Sequence, residues 1–247
     1  MSDDINPPVG VAPPAIKSNS APGSAVPKWE QNAKSRITAG IKKLAKPTLL
    51  LKEKDAVEAD TRHLVTDILC DVLGYDKYEN LTAEFAVKGD FADYGVRINK
   101  QLEAFVEVKR ISQKLSPTHL RQVESYALRE GVQWVVLTNA QIWQAYHVTP
   151  VQGQQSEVTL MFEVDLLDEN MKASVKTEMM FLISIEGVSR GKLAEFLSAQ
   201  NATSPKTLKP LLLSNDVLVA IRKEVKRKTK HNIEIKDLKT AIEALIK

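Results

Sequence analysis

Asp93, Glu107 and Lys109 have the residue types and spacing to act on a phosphate ester. They lie in two alternating apolar and polar runs that flank Asn99-Lys100-Gln101, a pattern that predicts an antiparallel hairpin. A turn centred on Lys100 sets Asp93 opposite Glu107. The two-residue period of a strand then places Glu107 and Lys109 on one face, with Leu102, Ala104, Val106 and Val108 on the other. Carboxylates this close repel one another unless something neutralises them, and a hard divalent cation suited to oxygen ligands is the usual solution. Mg2+ is the first expectation, with Mn2+ as its substitute, and Asp93 and Glu107 as the metal ligands. Such an ion polarises a phosphoryl oxygen and lowers the pKa of bound water, while Lys109 orients that water or offsets charge on the phosphate. Taken alone, Glu-x-Lys on a strand also describes a solvated ion pair, so its neighbours must decide.

The elements that would position these residues are legible on both sides. Downstream, Ser116-Pro117 opens a helix as N-cap and first helical residue, Leu115 and Leu120 fit a hydrophobic staple, and Gly131 closes it. Over residues 117–130, Gln122 and Tyr126 stand four apart on one face, while Leu120, Val123 and Ala127 form the apolar stripe. Upstream, apolar residues at 57, 64, 65, 68 and 72 mark one helical stripe, with Glu58 at its shoulder. A carboxylate at the edge of a buried face needs a partner, and a metal or its waters would serve. An ordinary first-turn acid stabilised by the helix dipole is the plainer alternative.

In the form Asp93 … Glu107-Val108-Lys109 these residues resemble the PD-(D/E)xK nuclease superfamily, with Ala92 where its name expects proline. The Gln-x-x-x-Tyr pair of Gln122 and Tyr126 follows in the same order as in the N-terminal endonuclease domain of the motor (R) subunit of type I restriction enzymes. Three further strings resemble that family: Glu58-Ala59-Asp60-Thr61-Arg62, Leu73-Gly74-Tyr75-Asp76, and the turn Thr138-Asn139 followed by Trp143. The family usually has Gly where this chain has Ala140. The resemblance implies a metal-dependent phosphodiesterase acting on DNA. Asp93 and Glu107 would hold the metal, Lys109 would be the catalytic lysine, Glu58 an additional acid, and Gln122 and Tyr126 supports that touch nucleic acid. It also implies an α/β fold, a restriction-endonuclease-like mixed sheet flanked by helices and followed by a small helical C-terminal unit. At 247 residues the chain has no room for the family's translocating motor, so a stand-alone module would find DNA by itself, as a homodimer, or through a restriction-system partner. A nuclease fold that binds or regulates without cutting is the alternative.

Composition agrees with a soluble globular protein, at 43% hydrophobic and 26% charged residues. A net charge of +3 is too small to name a partner. Cys70 is the one cysteine, which excludes an internal disulfide, and neither a bilayer-length apolar run nor a leader is apparent. The expected setting is cytoplasmic, with no membrane partner. Residues 1–28 carry six of the eleven prolines and are expected to be a disordered tail. Residues 29–165 are expected to form the nuclease-like domain, and 166–247 a helical C-terminal region. There, Val217, Leu218, Ile221 and Val225 form an apolar stripe and basic residues fill the other side, with Lys226 and Arg227 as candidate phosphate contacts. A solvated face with cations near a helix C-terminus explains the same residues.

Other patterns lead nowhere. His63, Asp67 and Cys70 share a helix face but lack a fourth ligand. Gly187 … Gly191-Lys192-Leu193 lacks the spacing and the hydroxyl of a phosphate loop. His119 reads first as a first-turn polar residue.

Overall fold

The computed structural model describes residues 25–87, 90–153 and 155–246; residues 1–24 of the expected tail lie outside them. Among the described residues the chain divides into two compact units, one running to Leu193 and the other from Ala194 onward. The first holds a six-stranded mixed sheet in the spatial order β1 (Leu81–Val87), β2 (Asp90–Ile98), β3 (Gln101–Val108), β4 (Trp134–Thr138), β5 (Ile142–Thr149) and β6 (Glu157–Asp165). Only the β3–β4 pair is parallel; the other neighbours are antiparallel. Parallel neighbours need a crossover, and α3 (Pro117–Glu130) supplies it. Its bounds are those the Ser116-Pro117 and Gly131 signals predict, with Gly131 left-handed at φ +70°.

The apolar side of α3 meets the sheet through Val123, Tyr126 and Ala127, which cluster with Ala92, Phe105 and Val135. Before the sheet come α1 (Lys28–Glu53), α2 (Glu58–Asp67) and a π-helical turn, Ile68–Val72. Helix α1 buries Ala33, Ile37, Gly40, Leu44 and Thr48, one face of a 3.6-residue period. A Cβ at Gly40 would stand 2.6 Å from a Val72 methyl, so only glycine lets α1 lie this close to the π-helical turn. After the sheet, α4 (Ala173–Leu182) packs on α1 and β6, and α5 (Ile185–Ser189) follows it. This unit therefore continues past residue 166. The Arg36 guanidinium ties its parts together, donating twice to Glu186 at 2.7 Å and to the carbonyls of Val72 and Leu73.

Two details of the predicted elements differ. Val57, expected on the buried stripe, precedes the first turn of α2 in extended conformation and is 56% exposed, because only residues inside the helix share its period. The hairpin turn is Asn99–Lys100 rather than one centred on Lys100, with Ile98 paired to Gln101. One register shift follows: Arg97 pairs with Leu102 and Val96 with Ala104, which leaves Glu103 as an extra residue on β3. That bulge restores the alignment expected for the acids. It also turns Leu102 onto the Phe105 face, against Phe85, instead of the face of Ala104 and Val106.

Both turn residues have positive φ, +50° for Asn99 and +68° for Lys100, the backbone of a type I′ turn that favours Asn-Gly. Lys100→Gly is therefore expected to stabilise the fold by about 1 kcal/mol, since a left-handed L residue costs roughly 1–2 kcal/mol and glycine does not. Urea unfolding of both proteins measures it; a lowered midpoint would contradict the assignment.

The second unit is helical: α6 (Lys192–Ala202) enters it, and α7 (Pro205–Leu212), α8 (Asn215–Thr229) and α9 (Ile235–Leu245) follow. Leu218 and Leu238 are its buried anchors on α8 and α9. No helix among the described residues is long and apolar enough to cross a membrane.

Candidate active site

Three neighbouring strands bring carboxylates into one row. On β1 and β2, Ala83 pairs with Tyr94 and Phe85 with Ala92, so Glu84 lies across from Asp93. On β2 and β3, Tyr94 pairs with Val106, and the next step sets Asp93 beside Glu107. Past that point the backbone ladder gives way to a side-chain bond: Asp93 Oδ2 accepts the amide of Val108 at 2.7 Å. Asp93 is 8% exposed and Glu107 2%.

Each acid carries a cation. Lys109 Nζ donates to Glu107 Oε1 at 2.6 Å, and Arg62 Nη2 forms an ion pair with Asp93 Oδ1 at 2.8 Å. Lys109 is held in place by its own amide, which donates to the carbonyl of Thr138 on β4 at 2.8 Å. Glu107 Oε2 is buried and meets no donor at hydrogen-bonding geometry. Glu58, the first residue of α2, lies 3.8 Å from the same Arg62, and Glu84 lies 3.7 Å from its other terminal nitrogen. Arg62 thus gathers Glu58, Glu84 and Asp93 around one guanidinium.

The base of the site is braced from α2. Thr61 is wholly buried and its hydroxyl accepts the Ile111 amide at 3.1 Å, just past β3. Tyr94, the neighbour of Asp93, donates to the carbonyl of Arg62 at 3.0 Å and shares a hydrogen bond with Thr66 at 2.8 Å. At the far end of β3, Arg110 reaches back to the Asp55 carbonyl at 2.6 Å. These contacts set the start of α2 against the ends of β2 and β3.

Burial pushes the Asp93 carboxyl above the ordinary carboxylate range, against the pull of the Val108 amide and of Arg62. Burial does the same to Glu107, opposed chiefly by Lys109. Burial, and then Lys109, lower the pKa of His119, whose Nδ1 accepts the Ser116 amide at 3.3 Å as part of the helix cap. The raised acids have a consequence for stability. Below the pKa of the unfolded chain both states are protonated and the favourable contribution is complete. Between the unfolded and the raised folded values the folded chain binds more protons, so raising the pH through that window removes stability. The melting temperature of metal-free protein, compared with Glu107→Gln across that range, is expected to show the wild type losing ground as pH rises. A gap that does not change with pH would contradict it.

Among the described residues no group of three or more His, Cys, Asp or Glu side chains is gathered closely enough to hold a metal ion. Asp93 and Glu107 are nonetheless a donor set that suits Mg2+, which takes one or two carboxylates and completes its shell with water and phosphate oxygens. The unpartnered Glu107 Oε2 fits that use.

Residues 57–161 match the family model of the type I restriction enzyme R protein N terminus. The matched segment contains Glu58, Arg62, Asp93, Glu107, Lys109, Gln122 and Tyr126. Comparison with curated proteins and with solved structures gives no match.

Within the matched segment the Thr138-Asn139 turn explains its own residue types. Thr138 Oγ1 accepts the amide of Ala140 and donates to the carbonyl of Ile142, and Asn139 Oδ1 accepts the Ile142 amide at 2.7 Å. Asn139 also donates to the carbonyl of Gln113, and the buried Trp143 indole donates to that of Ala140. Ala140 has φ +69°, so the residue that stands where the family usually has Gly adopts the conformation that glycine favours. Gln122 and Tyr126 hydrogen-bond each other at 3.0 Å. Tyr126 is buried in the cluster that also holds Ala92 and Phe105, whereas Gln122 is exposed; among the described residues neither hydrogen-bonds to Asp93, Glu107 or Lys109. Lys226 and Arg227 lie in the last turn of α8, in the second unit, where Arg227 pairs with Glu224.

Sequence reasoning passed over Arg62; Glu84, in the strand that leads into the hairpin, reads from the sequence as a further acid at the rim of the site, and its side chain is 73% exposed. The i, i+4 spacing of Glu58 and Arg62 on one helix was the available signal for Arg62. Glu84 has φ +48°, which nothing in its residue type foretells.

Proposed function

We propose that this chain is a metal-dependent endonuclease module acting on DNA in a restriction or phage-defence setting, working in the cytoplasm. What carries the reading is the grouping of Asp93, Glu107 and Lys109 at the end of one hairpin, inside the segment that matches the restriction-subunit model. Asp93 and Glu107 would hold Mg2+, or Mn2+ in its place. Bound there, the ion supplies polarisation of the phosphoryl oxygen and a water of lowered pKa.

The chain's own residues do the rest. Lys109, almost enclosed beside Glu107, keeps its ammonium where a water or a non-bridging phosphate oxygen approaches, and offsets charge that develops there. The water oxygen bonds to phosphorus and gives up one proton to solvent, one phosphorus–oxygen ester bond breaks, and the departing oxygen takes a proton from solvent. Glu58 is the outer acid of the site, and Gln122 with Tyr126 supports the strand ends from α3. Lys226 and Arg227 would add phosphate contacts, each making affinity more dependent on salt. A homodimer or a restriction-system protein would supply a second cut or a targeting signal.

The test is incubation with linear, circular and single-stranded DNA with Mg2+ or Mn2+. Metal-dependent scission that EDTA stops is expected. A second reading, a nuclease-fold protein that binds nucleic acid without cutting, draws on the fact that Arg62 and Lys109 already neutralise Asp93 and Glu107. Binding without scission in every metal and substrate would favour it.

A further inference from the structure

Resting on the proposed nuclease reading, we infer that Arg62 is the protein's own counter-ion to Asp93 and competes with the divalent cation for that carboxylate. It therefore sets the cation concentration at which the site loads. The geometry is that of a stand-in cation. One guanidinium sits 2.8 Å from Asp93 Oδ1, 3.8 Å from Glu58 and 3.7 Å from Glu84, while its Nε–H is buried without an acceptor. An arginine placed only to brace the helix would use that third donor direction as well. Here the fork is spent on carboxylates alone, from α2, β1 and β2.

Charge bookkeeping points the same way. Glu58, Glu84, Asp93 and Glu107 face Arg62 and Lys109, which leaves an excess of two negative charges, the charge of one divalent cation. Without Arg62 the acids across β1, β2 and α2 would repel each other, and the site would spread before a metal arrived. Glu84 holds its place at φ +48°, a left-handed conformation that is unfavourable for an L residue. Its side chain is 73% exposed, so the ion pair with Arg62 is at the rim and opens toward solvent. A cation that takes Asp93 Oδ1 must displace Arg62 Nη2 from it, and Glu58 and Glu84 give the guanidinium a place to remain.

The roles of Arg62 and of the metal ligands separate in a binding assay. Mn2+ affinity of the full chain is measured without DNA at low ionic strength, by electron paramagnetic resonance of free Mn2+ and by calorimetry. Arg62→Gln keeps the planar end but not the charge, and is expected to bind Mn2+ about tenfold more tightly than wild type, the scale of one close ion pair. Arg62→Lys keeps the charge as a point that cannot span three carboxylates, and is expected to fall between them. It also keeps the test open if Arg62→Gln does not fold. If wild type binds Mn2+ and neither variant binds it more tightly, this inference is overturned and the nuclease reading stands. If wild type binds no Mn2+, the nuclease reading falls and the inference with it.

Discussion

Lys109→Ala is expected to lower DNA cleavage by about 10²–10⁴-fold, with DNA affinity nearly unchanged. The ammonium lies 2.6 Å from Glu107 and is, among the described residues, the one cation that bonds to it, so its loss removes the group that would face the reacting phosphate. Affinity is spread over many phosphate contacts and barely notices one of them. Asp93→Ala is expected to lose as much activity by a different route, through a missing ligand. Because Asp93 also accepts the buried Val108 amide, Asp93→Asn is the better control, keeping an acceptor there while giving up the charge. Single-turnover cleavage and fluorescence anisotropy on the same preparations separate the two quantities. Full activity in Lys109→Ala, or parallel loss of binding and cleavage, would contradict the assigned roles.

The second large effect is on stability. Phe105→Ala is expected to cost about 3–5 kcal/mol, a large part of the stability of a domain this size. Phe105 is fully buried on β3, between β2 and β4, and its ring meets Phe85 edge to face at 5.3 Å. Val123, Tyr126 and Ala127 of α3 belong to the same cluster, so truncation opens a cavity between the helix and the sheet. Urea unfolding followed by circular dichroism gives the cost directly. Unlike Lys109→Ala, this variant should lose activity only in proportion to the fraction unfolded. A cost below about 1 kcal/mol would mean that the central strand is not packed as described.

Phe105 on β3 and Lys109 just past its end lie four positions apart, on one face of a run whose alternation could be read from the sequence. Alternation located β2 and β3, an almost continuous apolar run located β4, and cap residues bounded α3 at both ends. The grouping of Asp93, Glu107 and Lys109 was legible because a hairpin is local: its register depends on a few residues of turn. Even so, the turn occupies Asn99–Lys100, and a bulge at Glu103 compensates, so the expected alignment arose from two local features rather than one. Leu102 shows the cost of missing the bulge, since one extra residue reverses the face of everything between it and the turn.

What was illegible depends on contacts between distant segments. Arg62 on α2 reads as the second half of an ordinary i, i+4 pair, and only the packing of α2 against β2 shows that Asp93, not Glu58, is its close partner. The positive φ of Glu84 has no residue signature, and the π-helical turn at Ile68–Val72 continues an apolar stripe that a regular helix would satisfy equally. Val57 was misplaced because a stripe drawn through a helix N-terminus does not say where the helix starts. The Gln122–Tyr126 bond follows from spacing alone, but burial of Tyr126 under the sheet does not.

Anomalous diffraction from crystals grown in Mn2+ bears most directly on the role given to the two acids. The expected result is a peak within bonding distance of both the Asp93 and Glu107 carboxylates, with Arg62 no longer on Asp93 Oδ1. No peak there, with Asp93 still held by Arg62 and Glu107 still held only by Lys109, would contradict a metal-dependent site in this chain.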